Sequence, residues 1–435
     1  MTAVTEQSLR ERLESLFASE PDTIADSAEI LRSVRERGPL YELGEMVLVT
    51  RYDDVKAVIS DSVGYGSDAK RSGSRAQAIR ASLTPEEQLA FDEVVEFEGL
   101  YVSRADGEMH DRLRAVAHRA FTPKRIALVA SAAQEYADEL LSGLASADGV
   151  CDLMSLAYRM PLMIIGDLLN IPQDDRERVH AWSNTLSRNR GGSEVGPLLA
   201  AHRAHREYQA YIDETLARHR ALPQEGDLLL ALMAAEQGDV LSSRELAAMF
   251  IVLLFAGHET TSNLLGIGLY ELLRHPDQWA ALVRDPRRIP DAVEELLRFV
   301  SPAQWLMRHA VQDVTIAAER IESGRTVIPL IASANRDPLV FANPDSLDIG
   351  RSDARRHLTF GFGRHFCLGN ALARLEAATL LATMVRRFPD TQLAVDHHPV
   401  RWGGNAMLRR LVSLPVRLGA ERAACRPTAF TRPST

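Results

Sequence analysis

Apolar residues at three- and four-residue spacing recur in seven long stretches, at roughly 106–120, 124–147, 152–169, 197–220, 242–274, 291–300 and 368–387. A chain patterned this way folds as a mainly α protein. Strand-like segments are short and sit towards the two ends, at Met46 to Thr50, Val314 to Ala317, Thr326 to Pro329 and Val412 to Val416. They predict small peripheral β-sheets at the edge of a helical body. No internal repeat and no long linker interrupts the pattern, so one large domain over 1–435 is expected, with 1–25 and 420–435 flexible.

Composition narrows the function classes. The 435 residues carry a formal net charge of -9, which argues against nucleic acid as a general partner. The first residues, MTAVTEQSLRERLESLF, place charges where a signal peptide needs an apolar core, so a cytoplasmic protein is expected. The longest apolar run, Leu246 to Gly257, falls short of the ~20 residues a bilayer span needs and leads straight into His258 and Glu259. It reads as a buried helix, without membrane insertion. Three cysteines, Cys151, Cys367 and Cys425, show no short spacing, so neither a disulfide framework nor a zinc knuckle is expected. Cys425 lies in a tail with little periodicity and reads as incidental. Residues 61–105, with a Ser, Gly and Arg rich start and an acidic helical piece, read as a surface excursion that acts as a lid.

Two segments carry candidate chemistry. Residues 360–369, FGFGRHFCLG, run into the strong helix formers NALARLEAATLLATM, so Cys367 sits at a loop-to-helix junction. Gly361, Gly363 and Gly369 allow dihedrals and close approaches that side chains forbid. A helix N-terminus favours a thiolate, the form a soft metal ligand needs. Taken alone, a free cysteine before a helix is most often one more buried thiol. The second segment, VLLFAGHETTS at 252–262, places polar groups deep in an apolar helix. Gly257, Thr260 and Thr261 share one face, and a threonine hydroxyl can bond back to a carbonyl and loosen the helix.

The decapeptide resembles the cysteine loop of the cytochrome P-450 family at Phe360, Gly361, Gly363, His365, Cys367 and Gly369. The second segment resembles that family's oxygen-binding groove at Ala256, Gly257, Glu259, Thr260 and Thr261. The resemblance covers about Glu29 to Leu418 and implies a single large helical haem-thiolate monooxygenase fold. It implies haem b as cofactor, with Cys367 as iron ligand, His365 on a haem propionate, and Phe360 near the sulfur. Dioxygen is the implied co-substrate, hydrogen-bonded by Thr260, with Glu259 in a proton supply route. His110, Arg114 and Arg308 resemble the family's propionate sites. Glu295, Arg298 and Arg351 resemble its structural ion pairs, although Leu347 stands where Phe is usual, and Asn335 and Arg336 match a helix it uses for folding.

The expected reaction inserts one oxygen atom into a small organic molecule, most simply as hydroxylation. The implied pocket draws on the 61–105 segment, Leu253, Ala256, Ala303 to Met307 and Met407, with Trp305 and Gln304 as either pocket or core. No flavin or nicotinamide module follows the last motif, so a ferredoxin and its reductase are the expected donors, drawing on NADPH or NADH. Docking is expected near Cys367, where Arg355, Arg356 and Arg364 offer positive charge.

Overall fold

The computed structural model describes residues 6–68, 72–121, 123–145, 149–188, 195–221, 232–233, 240–394 and 400–422. Cys425 and the tail from 423 onward lie outside the described residues. The helices are α1 (Glu6–Phe17), α2 (Pro21–Ala25), α3 (Ser27–Arg37), α4 (Tyr52–Ser60), α5 (Ser74–Ala81), α6 (Pro85–Glu98), α7 (Gly107–Ala120) and α8 (Pro123–Ala145). They continue as α9 (Leu153–Leu168), α10 (Arg176–Arg188), α11 (Val195–Ala221), α12 (Ser243–Arg274), α13 (Pro276–Arg284), α14 (Ile289–Val300), α15 (Ile331–Ala334) and α16 (Asn370–Arg387). The seven periodic stretches are α7, α8, α9, α11, α12, α14 and α16, within three residues at each end.

The strands are short. A five-stranded sheet orders β1 (Leu40–Leu43), β2 (Met46–Val49), β8 (Thr326–Pro329), β5 (Arg308–Ala310) and β3 (Tyr65–Gly66). Only β2 and β8 run parallel in it, Val47 opposite Val327. β4 (Cys151–Asp152), β12 (Pro415–Arg417) and β9 (Gln392–Leu393) form a second sheet. β6 (Val314–Ile316) pairs with β7 (Glu319–Ile321), and β10 (Arg401–Gly404) with β11 (Arg409–Ser413). The expected strand at Val412 to Val416 is thus two strands, broken at Leu414, whose fully buried side chain faces the core.

α12 is the axis of the helical body. Ser242 and Glu245 close a reciprocal capping box at its start, satisfying two amide groups that a helix N-terminus leaves open. The helix is 32 residues long and apolar enough to cross a membrane by length and composition, and 83% of its most apolar window is buried inside the fold. Its buried faces unite two apolar clusters. One, with Leu264, Leu265 and Leu269, packs on α8, α9, α14 and α16; the other, with Leu246 to Leu254, packs on α7, α10 and α11.

Three expectations are corrected. Residues 6–25 are not flexible: Leu9, Leu13 and Leu16 share one helical face and are fully buried, and Phe17 stacks on Trp305 at 4.6 Å. Residues 420–422 are held as well, by the Arg422 N–H on the Arg387 carbonyl and an Arg387 to Glu421 ion pair. The 61–105 segment is mostly regular, containing β3, α5 and α6. Its helical start was written in Thr84-Pro85-Glu86-Glu87, a capping box in which Thr84 and Glu87 exchange bonds.

Candidate active site

A cavity runs between α12 and the loop before α16. Cys367, Phe360 and Gly369 line it from the loop; Ala256, Gly257, Thr260 and Thr261 line it from α12. Backbone bonds fix the cysteine: its N–H donates to the Phe360 carbonyl at 2.8 Å, and its carbonyl accepts from Asn370 at 2.8 Å. Gly361 and Gly363 both adopt φ of +70°, and a side chain on Gly363 would stand 3.2 Å from the Ser60 backbone of α4. Gly369 differs, since a side chain there would meet nothing within 4 Å. Phe360 lies under the Arg374 guanidinium, 4.5 Å from its ring centre, and Arg374 is held by Glu294.

Burial pushes the Cys367 thiol above its ordinary pKa, against the Gly369 N–H and the charges of Arg114 and Arg374. The helix N-terminus alone therefore does not make it a thiolate. Coordination to a metal cation does, because a coordinating thiol is deprotonated outright.

On α12, Thr260 Oγ1 donates to the Ala256 carbonyl at 2.7 Å. Where glycine stands at 257, a methyl group would meet Ile165 of α9 at 3.3 Å, so close helix packing is one reason for the residue. Glu259 is 4% exposed but does not line the cavity.

Basic groups gather at one end. His110 and His365 rings lie 4.2 Å apart, and Arg114 and Arg308 are within electrostatic reach of His365. Burial, then the neighbouring His365 charge, pushes His110 down to about 4, so it is neutral at pH 7 rather than the cation expected. His110 Nε2 is buried without a protein partner among the described residues. Burial lowers Arg308 to about 10, opposed by Asp106. Arg114 donates to the Phe366 carbonyl at 2.6 Å. The sequence reading missed Asp106. It stands at the N-cap of α7 yet makes no capping bond, because its carboxylate accepts from the Ser67 N–H at 2.8 Å and faces His365 Nε2 at 3.7 Å. Burial works against that carboxylate, but His365 and Ser67 hold it below its ordinary range.

A family model described as Cytochrome P450 matches residues 196–398. The chain is 37% identical to the polyketide biosynthesis cytochrome P450 PksS of Bacillus subtilis, over 85% of this chain and 88% of that one. It is 34% identical to 6-deoxyerythronolide B hydroxylase of Saccharopolyspora erythraea, over 92% and 98%. The chain belongs to the cytochrome P450 family. Among solved structures, the P450 enzyme CxnD, which forms a C–S bond in chuangxinmycin biosynthesis, superposes with a TM-score of 0.81 at 31% identity, covering 94% of this chain and 97% of that one. The protein is accordingly a haem-dependent monooxygenase that uses haem b and dioxygen to oxidise small organic substrates.

The residues present fit haem b. A macrocycle needs flat apolar walls, and Leu264, Leu297, Phe360, Leu368 and Leu372 line the cavity. Its two carboxylates need cations or donors out of water; Arg114, Arg308 and His365 line the cavity and offer these, while His110 does not line it but lies against His365, with one nitrogen unpaired among the described residues.

Among the other expected pocket residues, Leu253, Ala303 and Leu306 line the cavity, and Val102 and Ser103 do so from the 61–105 segment. Trp305 and Gln304 do not. Trp305 packs into the N-terminal cluster with Leu9 and Leu13, and Gln304 donates to the Ser301 carbonyl at 2.8 Å. Met307 and Met407 pack against that same cluster.

Proposed function

We propose that Cys367 supplies the thiolate that holds the haem iron, with His110, Arg114, Arg308 and His365 holding the propionates. Phe360 and Gly369 would hold it from the cysteine loop, and Ala256 and Gly257 from α12. The carrying observation is that Cys367 of the loop before α16 and Thr260 of α12 line one largely apolar cavity together with Arg114, Arg308 and His365. When bound, the haem supplies reductive activation of dioxygen, which a thiolate ligand favours by donating electron density. Thr260 presents a hydroxyl at the cavity wall that rests on the Ala256 carbonyl and must turn from it to donate into the cavity, its oxygen accepting a proton in exchange. Glu259, one residue along, holds the proton that Thr260 hands on. Val102, Leu253, Ala303 and Leu306 orient an apolar substrate and keep bulk water from it. Relatives named for polyketide biosynthesis and for 6-deoxyerythronolide B hydroxylation support an apolar secondary metabolite as that substrate.

The test is turnover under heavy-isotope dioxygen, with NADPH, a ferredoxin and its reductase. One labelled oxygen atom per product is expected; product without label would overturn the reading.

We infer further that residues 1–435 form one catalytic domain in the cytoplasm, with no nucleic acid partner and no membrane insertion. Electrons come from a ferredoxin and ferredoxin reductase, with NADPH or NADH as ultimate donor. Of the three arginines expected to dock it, Arg355 is engaged by Asp291 and Glu294 and Arg364 by Asp111, whereas Arg356 is exposed with no ion pair among the described residues. Lys56 adds charge over Phe362, which together with Phe366 is an exposed aromatic next to the cysteine loop. Replacing Lys56, Arg356 and Arg364 with alanine is expected to raise the Michaelis constant for ferredoxin several-fold at low salt, with the gap narrowing as salt rises. A constant unchanged at low salt would remove this docking face.

A further inference from the structure

The polar groups of the cavity are few, and almost all of them are already engaged. Among the described lining residues there is no carboxylate. The lining cations, Arg114, Arg308 and His365, stand within electrostatic reach of one another and are the groups the haem propionates call on. Thr260 donates to the Ala256 carbonyl at 2.7 Å. Thr359 donates to the Leu297 carbonyl at 2.6 Å and accepts from Asn335 at 2.9 Å. Thr261 is only 3% exposed. Ser103 differs from all of these: it is exposed, and its hydroxyl has no hydrogen-bond partner among the described residues.

The backbone around Ser103 is nevertheless fixed. The residue lies in the turn after α6, where the Tyr101 carbonyl accepts from the N–H groups of Arg104 and Ala105 at 2.8 and 2.9 Å. Tyr101, Val102 and Ala105 are buried on either side of it, and Arg104 forms an ion pair with the buried Glu98 at the end of α6. A hydroxyl carried on so rigid a turn is in place before a ligand arrives, so a bond to it costs little further ordering.

We propose that Ser103 anchors the substrate by a hydrogen bond, and that the substrate is a neutral, mainly apolar molecule bearing a carbonyl or hydroxyl group for that serine. The proposal rests on the reading of this cavity as the haem and substrate site. Two costs select the class. A substrate carboxylate or ammonium would leave water without a counter-charge, since the cations serve the propionates and no acid lines the cavity. A pure hydrocarbon would strip water from the Ser103 hydroxyl and return nothing to it. A carbonyl accepts from that hydroxyl, and a substrate hydroxyl can either accept or donate. The remaining contacts, from Val102, Leu253, Ala303 and Leu306, are apolar and without direction. Ser103 therefore supplies the direction, and with it the choice of which carbon is oxidised.

Adamantane, 2-adamantanone and adamantane-1-carboxylate share one rigid cage and differ in hydrogen bonding and charge, so none can trail a polar end out to solvent. Titrated against the resting haem spectrum of the wild-type protein, the ketone is expected to bind roughly three- to tenfold more tightly than the hydrocarbon, and the carboxylate about a hundredfold or more weakly than the ketone. Ser103→Ala is expected to bring the ketone down to the hydrocarbon's affinity while the hydrocarbon's own affinity, the haem content and the melting temperature stay as in wild type. Ser103→Thr restores the ketone's advantage. The infrared carbonyl stretch of bound 2-adamantanone should lie lower in wild type than in Ser103→Ala, a difference that a merely structural serine would not produce. If none of the three probes shifts the wild-type haem spectrum, the substrate reading of this cavity falls and the anchor with it. If the probes shift it but Ser103→Ala keeps the ketone's advantage and its stretching frequency, the anchor alone is overturned. A carboxylate that binds as tightly as the ketone overturns the neutral class.

Discussion

Arg298→Leu is expected to destabilise the fold by roughly 3–5 kcal/mol and to leave little haem per chain. Arg298 and Glu295 are both fully buried and meet through two bonds, at 2.7 and 2.8 Å. The guanidinium also satisfies the carbonyls of Asn335, Pro344 and Ser346 at 2.9, 2.8 and 3.2 Å. Leucine would strand a buried carboxylate with only Arg351, at 3.2 Å, and the Asp348 N–H. It would also orphan the Asn335 and Pro344 carbonyls, Ser346 keeping its bond from Arg351, which favours the upper part of that range. The damage reaches the cofactor because Asn335 bonds Thr359 and the Leu358 N–H, immediately ahead of Phe360. Against a usual total stability of about 5–15 kcal/mol, the loss is large. A shift in urea midpoint with reduced haem content is the expected reading; an unshifted midpoint would mean the pair holds nothing.

Cys367→Ser is expected to reduce oxidation to background while the apoprotein keeps its secondary structure and urea midpoint. The cysteine's structural bonds, to Phe360 and Asn370, are made by its backbone and survive the change. What is lost is the sulfur. A serine oxygen is a harder, far less acidic ligand and donates less electron density to iron, so the activation of dioxygen fails. Circular dichroism and NADPH oxidation together check both halves, and turnover at the wild-type rate would overturn the role given to the thiol.

Much of this was legible in the sequence because helical periodicity over ten or more residues leaves few alternatives. α12, α14 and α16 carry Thr260, the buried ion pair and the Cys367 junction, and their ends follow from local signals. What escaped was set by tertiary contact. Nothing local distinguishes Leu9, Leu13 and Leu16 from a frayed amphipathic end until Trp305 covers them. Gln304 and Trp305, next to Ala303, lie outside the cavity because Gln304 bonds the Ser301 carbonyl and Trp305 packs into the N-terminal cluster. Asp106 looks like a helix cap, and only the approach of Ser67 and His365 gives it another use. Asn335 is one more helix-end residue until it bonds the segment before the cysteine loop.

Reduction of the purified protein under carbon monoxide tests the central claim most directly, with wild type and Cys367→Ser compared in one spectrum. Wild type should give the strongly red-shifted band of a thiolate-ligated haem, and the serine variant should lose it. A variant that binds haem and keeps the wild-type band would contradict the assignment of Cys367.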